Sequence, residues 1–353
     1  MMACLTAVPV GISGEIIEYS FPSPPFKTGS RRRGKKNCAK VETDEYLDGA
    51  FENFSGYIAT DEVYDGPFCI LFLVDGRTGK RLLYRVLPQD PKSEDILELL
   101  QSFRKILEDR QLELRGMTTD GATLYTEPVR TVFPGVGHQI CEFHVKKEIN
   151  KAVMKAVAQV RRELASTKVK RQRRGRPTIK EEKAIIRKND RIQAKIGALF
   201  EHRYLFVQKE LSEKERKTFQ KITKGLSELR KLREMVNEVY RLYDRRCRRQ
   251  TALLKLSKLR ERLKQFKNLS QVLKKIESPT VDRSLVFLDD KKLPSTSNAV
   301  ERGNRRFRKM QKTVYRVRTY DHIRERIALD MFRDARLPSR RKVTLWLHDI
   351  RAA

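Results

Sequence analysis

One carboxylate, Glu301, lies in the stretch 298–312, which is otherwise crowded with arginine and lysine. This setting suits phosphodiester chemistry, because the acid can hold a metal ion while the cations hold a nucleic-acid backbone. Asn298 stands three residues earlier, as the N-cap of a capping box would. Glu301 is therefore interpreted either as a metal ligand or as a residue that only closes a helix end.

Two further acids could complete a metal site. Asp61 lies inside the apolar strand pattern of 56–64, where a carboxylate loses solvation unless it binds a cation or hydrogen-bond donors. Its neighbour Glu62 is an equal candidate for the inward acid, because one step along a strand reverses the face. Asp120 ends a strand pattern at 112–120, and its alternative is an ordinary turn or cap aspartate. If the two strands pair side by side, Asp61 and Asp120 can share one divalent cation.

Two short motifs suggest a function, but each also has an ordinary structural explanation. Cys141 and His144 have C-x-x-H spacing, but the absence of a second pair nearby argues against a structural zinc. His144 is predicted to donate a hydrogen bond near the site or to begin a helix. Arg174 and Arg176 lie in Arg-Gly-Arg-Pro, the core of an AT-hook, for which the alternative is a solvated linker.

The charge of the chain predicts a polyanionic partner. Lys and Arg number 77 against 45 Asp and Glu, which gives a formal net charge of +32 over 353 residues. No run approaches the length of a membrane-spanning helix, and the first twenty residues do not read as a signal peptide. The five cysteines form no C-x-x-C pair, which favours a reduced, intracellular compartment.

The elements that position these residues follow from hydrophobic periodicity. Strand patterns, a hairpin turn at 75–80 and an amphipathic helix over 93–107 predict an α/β layer structure up to about residue 145. Carboxylates in such a layer project from central strands or their carboxyl ends. Beyond it the apolar period becomes helical, with candidate helices at 145–165, 178–200, 212–224, 226–245 and 250–277. Residues 281–290 are predicted to form an extended return segment.

Four short motifs follow one another along the chain in an order that can be compared with known families. They are Tyr-Ile-Ala-Thr-Asp-Glu at 57–62, Thr-Thr-Asp-Gly at 118–121, Cys-Glu-Phe-His at 141–144, and Ser-Asn-Ala-Val-Glu-Arg-Gly-Asn at 297–304. The chain resembles, over roughly 51–335, the DDE transposases of bacterial insertion sequences. The closest layout has a helical insertion before the third acid, as in Mutator-like and hAT-like transposases.

The resemblance implies a fold and a division of the chain. The expected fold is α/β, an RNase H-like mixed sheet with an all-α insertion between the second and third catalytic acids. The expected segments are a basic flexible arm at 1–50, the core at 51–150 and 291–335, the helical insertion at 151–290, and a basic tail at 336–353. Family members usually carry a zinc-binding or helix-turn-helix region ahead of the core. Its absence here predicts either a truncated copy or one that reads DNA ends through its insertion and basic arms.

The resemblance also implies a function: metal-dependent DNA cleavage and strand transfer. Asp61, Asp120 and Glu301 are the expected ligands of two Mg²⁺ (or Mn²⁺) ions, and Cys141, His144 and Asn304 are expected to support them. The expected DNA contacts are Arg302, Arg305, Arg306, Arg308, Lys309, Lys312, Arg174 and Arg176. The expected partners are transposon ends, target DNA and further copies of the chain, in the cytoplasm at the nucleoid. The alternatives are an inactive transposase-derived DNA- or RNA-binding protein, and an RNase H-like nuclease without strand transfer.

Overall fold

The computed structural model describes residues 44–169, 180–266, 269–313 and 319–336. Its centre is a five-stranded mixed sheet of strand order β3-β2-β1-β4-β5. The strands are β1 (Tyr57–Asp65), β2 (Phe68–Asp75), β3 (Arg81–Leu87), β4 (Gly116–Thr119) and β5 (Gly137–Ile140). The first three pair antiparallel, whereas β4 pairs in parallel with both β1 and β5. Three sequential antiparallel strands extended by two parallel ones confirm the predicted RNase H-like sheet.

The antiparallel strands are joined by two tight turns. Gly66, at a φ of 63°, lies between the paired residues Asp65 and Phe68. In the predicted turn at 75–80, the Asp75 side chain accepts hydrogen bonds from the backbone amides of Arg77 (2.9 Å) and Thr78 (2.7 Å). An aspartate that bonds the amides ahead of it stabilises a turn, so this hairpin prediction is confirmed.

Helices cover both faces of the sheet, since β2 is buried along almost its whole length. On the face of Phe68 and Phe72 lie the two last helices, α11 (Asn298–Thr313) and α12 (Tyr320–Arg336). Phe72 contacts Phe307 of α11, with ring centroids 6.3 Å apart. The two closing helices thus belong to the core of the sheet.

Three further helices, which precede or connect the strands along the chain, complete this core: α1 (Asp44–Phe51), α2 (Ser93–Asp109) and α3 (Thr126–Val132). The apolar face predicted for α2 is buried. Helix α1 corrects the prediction of a flexible arm over 1–50 for residues 44–50 alone, because it buries Tyr46 and Phe51 against the sheet core. The sequence signal was short, only two turns of helix, and the basic residues before it dominated the composition. Residues 1–43 lie outside the described part of the chain.

The described residues between β5 and α11 form helices joined by turns and loops. Its helices are α4 (Glu142–Ser166), α5 (Lys180–Glu201), α6 (Glu213–Ile222), α7 (Ser227–Leu242), α8 (Arg249–Lys264), α9 (Ser270–Glu277) and α10 (Pro279–Arg283). They enclose a second hydrophobic cluster. These helices confirm that the insertion is helical, as predicted. No helix in the described part of the chain is long and apolar enough to cross a membrane.

Two predictions in this region were wrong. The candidate helix 250–277 is divided into α8 and α9, which pack against each other, as one straight helix could not do. The expected extended segment at 281–290 instead contains the end of α10 and a 3₁₀ turn at Val286–Leu288. The buried Gln139 of β5 explains this local structure, since it donates to the Ser284 carbonyl (2.8 Å) and accepts from the Phe287 amide (2.9 Å).

Candidate active site

Strand pairing brings the first two predicted acids together. Strand β1 runs parallel to β4, and β4 ends at Thr119 while β1 continues beyond it. Asp120 therefore leaves the sheet beside the part of β1 that carries Asp61 and Glu62. Carboxylate oxygens of these three residues lie within 4.8 Å of one another.

The backbone after Asp120 fixes its position. Gly121 has a φ of +100°, and a β-carbon there would lie 2.8 Å from Cγ2 of Ile140. Both the conformation and the close approach require glycine. The Asp120 carboxylate also accepts a hydrogen bond of 2.8 Å from the amide of Ala122. A sharp turn thus directs Asp120 back towards β1.

The three carboxylates repel one another in a poorly solvated place. Burial, and then the charge of Asp120, raises the pKa of Asp61 to about 6. Burial also raises the pKa of Glu62, against the Tyr125 hydroxyl that donates to it at 2.7 Å. Because a divalent cation would relieve this repulsion, the group has the electrostatic character of a metal site.

Helix α11 reaches this group through Asn304. The Asn304 side-chain amide donates to Oδ2 of Asp61 at 2.8 Å, and the residue is only 2% exposed. Its Oδ1 is buried without a hydrogen-bond partner among the described residues. A buried carbonyl-type oxygen without a partner is the kind of oxygen atom that hard cations take as a ligand.

The segment before α11 is held against the parallel strands. The Thr118 hydroxyl donates to the Pro294 carbonyl (2.8 Å), and the Ser297 amide donates to Sγ of Cys141 (3.4 Å). Ser297 then accepts, through its carbonyl, the first helical hydrogen bond from the Glu301 amide (3.0 Å). The cap is therefore Ser297, and the prediction of Asn298 as N-cap was wrong, because tertiary contacts begin the helix one residue earlier.

Glu301 lies in a neighbouring group, with Cys141 and His144. Ligand atoms of these three residues lie within 4.8 Å of one another. The Ser297 hydroxyl donates to the Glu301 carboxylate at 3.3 Å. Glu301 and Asn304 are three residues apart on one helix face, so the face that carries Glu301 also contacts Asp61. That Glu301 joins Asp61 and Asp120 in one site stays a prediction.

Cys141 and His144 influence each other's ionisation. Burial would raise the pKa of the Cys141 thiol, but the His144 imidazole and Ser297 together lower it below its ordinary value. The Cys141 thiol in turn raises the pKa of His144 against the effect of burial, helped by the charges of Asp120 and Asp61. The pKa of His144 thus depends on both groups, on the Cys141 thiol of its own group and on the carboxylates of Asp120 and Asp61 in the other.

Comparison with known families decides the identity of the chain. The family model DDE_Tnp_ISL3, described as Transposase, matches residues 72–327. The chain belongs to this transposase family. The match includes Asp120 and Glu301, whereas Asp61 precedes its first residue. A comparison with curated proteins gives no match.

The basic residues of α11 lie on the outside of this transposase. Asn304 and Phe307 occupy the buried face, so the cations occupy the solvent face. The exposed ones are Arg302, Arg305, Arg306, Arg308, Lys309 and Lys312. Arg174 and Arg176, the two arginines of the AT-hook-like motif, lie outside the described residues.

Three polar residues of the site were missing from the predicted set. Glu62 was only the alternative to Asp61, and its adjacency in the strand was the available signal. Tyr125 and Ser297 carried no local signal, because their roles depend on contacts with Glu62 and with Cys141. The candidate site therefore contains more polar residues than the three acids that the motifs suggest.

Proposed function

We propose that this transposase cleaves DNA and transfers the resulting strand at a site formed by Asp61, Asp120 and Glu301. The observation that carries the proposal is the convergence of Asp61, Glu62 and Asp120 where β1 passes the end of β4. The strongly basic chain, at a net charge of +32, provides the attraction for DNA that such a site needs.

The donor chemistry fits a divalent metal ion of the hard class. All ligand atoms of the first group are carboxylate oxygens. The Asn304 side chain, whose Oδ1 has no hydrogen-bond partner among the described residues, contacts one of these carboxylates, that of Asp61. Asp61, Asp120 and Glu301 would hold two Mg²⁺ (or Mn²⁺) ions, with Glu62 as a further ligand. When bound, such ions activate a hydroxyl nucleophile at neutral pH and stabilise the leaving oxygen of an in-line displacement.

The chain's own residues hold the acids in place. Asn304 orients Asp61, Tyr125 orients Glu62, and the Ala122 amide orients Asp120, each by one hydrogen bond of 2.7 to 2.8 Å. Positioning of reacting groups is a major part of phosphodiester catalysis. The exposed cations of α11 neutralise DNA phosphates beside the cut.

The partners follow from this chemistry. The proposed substrates are the transposon ends and a target DNA, bound by a homo-oligomer so that two ends meet in one complex. The proposed place of action is the nucleoid in the cytoplasm. The division into a core, a helical insertion at 151–290 and basic terminal segments is retained as part of the proposal.

The test is nicking of transposon-end DNA by purified variants supplied with Mg²⁺. Asp61→Asn, Asp120→Asn and Glu301→Gln are each expected to lower nicking at least about 100-fold while DNA binding persists, because one anionic ligand is lost and repulsion of DNA decreases. Asp109→Asn is the matched control, since it removes one exposed carboxylate at the end of α2.

Each variant also decides one residue's role. Full nicking by any of the three acid variants would remove that acid from the site. Loss of nicking in Glu62→Gln together with full activity in Glu301→Gln would make Glu62 the third acid. Nicking by the unmodified chain without any strand joining would leave a nuclease of this fold.

A further inference from the structure

A second cluster of ligating atoms lies beside the carboxylates and differs from them in chemistry. Cys141 follows β5, His144 lies in the first turn of α4, and Glu301 lies in the first turn of α11. One ligand atom from each lies within 4.8 Å of the others. Cys141 is fully buried, and the other two are half-buried, so the cluster opens to solvent on one side.

The donor atoms are a sulfur, an imidazole nitrogen and a carboxylate oxygen. This set is typical of Zn²⁺, which takes thiolate, imidazole and carboxylate ligands and often keeps a fourth position for water. Mg²⁺ and Mn²⁺ prefer oxygen ligands, and these are the only ligands offered by Asp61, Glu62 and Asp120. The two neighbouring groups therefore select different metals.

The surroundings of the cluster resemble a built metal site. Nδ1 of His144 is buried and has no hydrogen-bond partner among the described residues. Ser297 supports two of the three ligands, because its amide donates to Sγ of Cys141 and its hydroxyl donates to Glu301. Hydrogen bonds of this kind orient metal ligands and affect metal affinity about 10- to 100-fold.

We propose that Cys141, His144 and Glu301 bind Zn²⁺, and that the bound ion inhibits the transposase by keeping Glu301 from the carboxylates of Asp61 and Asp120. The inhibition rests on the proposed function, whereas the binding site does not. A zinc ion at this site uses the carboxylate that the DNA-cleaving site needs. Zn²⁺ binds mixed sulfur and nitrogen ligands far more tightly than Mg²⁺ does, so low concentrations of zinc compete with abundant magnesium.

The binding site is tested with Co²⁺, a spectroscopic substitute for Zn²⁺, titrated into the full-length chain under reducing conditions. The expected result is one Co²⁺ per chain with a thiolate-to-cobalt charge-transfer absorption that one equivalent of Zn²⁺ removes. Cys141→Ala should lose this absorption, and Glu301→Gln and His144→Asn should bind Co²⁺ at least about 10-fold more weakly. Cys141→Ser, which preserves the size of the side chain, replaces Cys141→Ala if the latter does not fold.

The control is a variant with Cys4, Cys38 and Cys247 all changed to Ser, because none of these cysteines is among the three proposed ligands. It should keep the absorption at full intensity. An unmodified chain without the thiolate absorption, or one whose absorption survives in Cys141→Ser, would overturn the site.

The inhibition is tested by nicking of DNA at constant Mg²⁺ and increasing Zn²⁺. Zinc should stop nicking by the unmodified chain, and a chelator selective for zinc should restore it. For each protein, the measured quantity is the Zn²⁺ concentration that halves its nicking rate relative to its rate without zinc. This concentration should be at least about 10-fold higher for Cys141→Ser than for the unmodified chain. Nicking that is unaffected by a zinc ion seen in the spectra would overturn the inhibition. If the unmodified chain does not nick DNA even when zinc is absent, both the proposed function and the inhibition are wrong. The cobalt spectrum would still show whether the metal site exists.

Discussion

At the scale of single residues, Asn304 connects α11 to β1. It is buried, it donates to Asp61, and its Oδ1 has no hydrogen-bond partner among the described residues. An asparagine on a helix otherwise rich in arginine supplies polarity without another charge. It therefore orients Asp61 without adding to the repulsion that already raises the pKa of that carboxyl group.

We predict that Asn304→Ala lowers nicking about 10-fold or more and leaves DNA affinity within about 2-fold, because positioning rather than phosphate binding is lost. Gln311→Ala is the matched control, since Gln311 is an amide on the same helix whose contact is the Tyr64 carbonyl. The measurement is nicking rate at saturating DNA beside a binding titration. Equal rates for both variants would contradict the orienting role.

At the scale of elements, α11 has two functional faces. Its buried face carries Ala299, Val300, Asn304 and Phe307 towards the sheet. Its solvent face carries the cations, including Arg305 and Arg308 at i and i+3. A helix with this division can hold Glu301 near the strands while its exposed cations contact DNA phosphates beside the cut.

Replacing Arg305 and Arg308 by Ala should make the salt dependence of DNA binding shallower by roughly one to two units in the log–log slope, because each phosphate contact contributes about 0.9. The control pair is Lys92→Ala with Lys105→Ala, two exposed lysines at the start and on the surface of α2. Filter-binding titrations at several salt concentrations measure both slopes. Equal slopes would mean that the α11 arginines are merely solvated.

The helical region presents a second basic element, a cleft of about 1020 Å³ between α4, α6 and α7. Eight basic and four acidic residues line it, and one of them is Glu142, which follows Cys141 directly. Arg233 in its wall is only 5% exposed, and its hydrogen-bond acceptors are the carbonyls of Phe206 (3.3 Å) and Lys209 (3.5 Å). A cleft of this charge beside the site suits the DNA backbone.

The prediction for this cleft is that Arg216→Ala with Arg241→Ala weakens DNA binding about 10-fold, because two phosphate contacts are lost, while the nicking rate at saturating DNA is maintained. Lys255→Ala with Lys258→Ala is the control, since both lysines are exposed on α8 and neither lines the cleft. Binding titrations and single-turnover nicking separate affinity from chemistry. A large fall in the nicking rate with unchanged affinity would contradict the assignment.

At the scale of the whole molecule, α12 packs against β3 at one edge of the sheet. Arg81 of β3 and Asp330 of α12 form an ion pair of 2.7 Å, with side chains 4% and 18% exposed. Tyr84 of β3 donates to the Arg324 carbonyl (3.0 Å) in the same interface. Segments more than 200 residues apart in the chain therefore depend on one another for stability.

Asp330→Ala should destabilise the protein by roughly 3 kcal/mol, because it removes a carboxylate that forms an ion pair with the buried Arg81 guanidinium. Asp321→Ala, at the exposed start of α12, should change the free energy of unfolding by less than about 0.5 kcal/mol. Urea unfolding of both variants gives the comparison. The double variant Arg81→Met, Asp330→Leu should regain most of the loss, and failure to regain it would point to other partners of Arg81.

The sequence by itself determined the features that depend on residue type and on the spacing of apolar residues along the chain. Alternating and continuous apolar runs predicted the strands and the apolar face of α2, and the change to helical period predicted an all-α insertion. The order of the acidic motifs led to the transposase family that the family comparison then showed. These signals are readable in a single sequence, because each apolar pattern and each motif lies within a short stretch of residues and the order of the motifs is given by the chain itself.

What only the tertiary structure decided depends on contacts between distant segments. The parallel register of β1 and β4 brings Glu62 into a group with Asp61 and Asp120. The hydrogen bonds of Pro294 and Ser297 to Thr118 and Cys141 begin α11 at Asn298 and bring Glu301 to Cys141 and His144. No local window contains both partners of such a contact. The free energy that selects these arrangements comes from burial and hydrogen bonding across the whole fold, and so the ligand groups of the site appear only when the chain is folded.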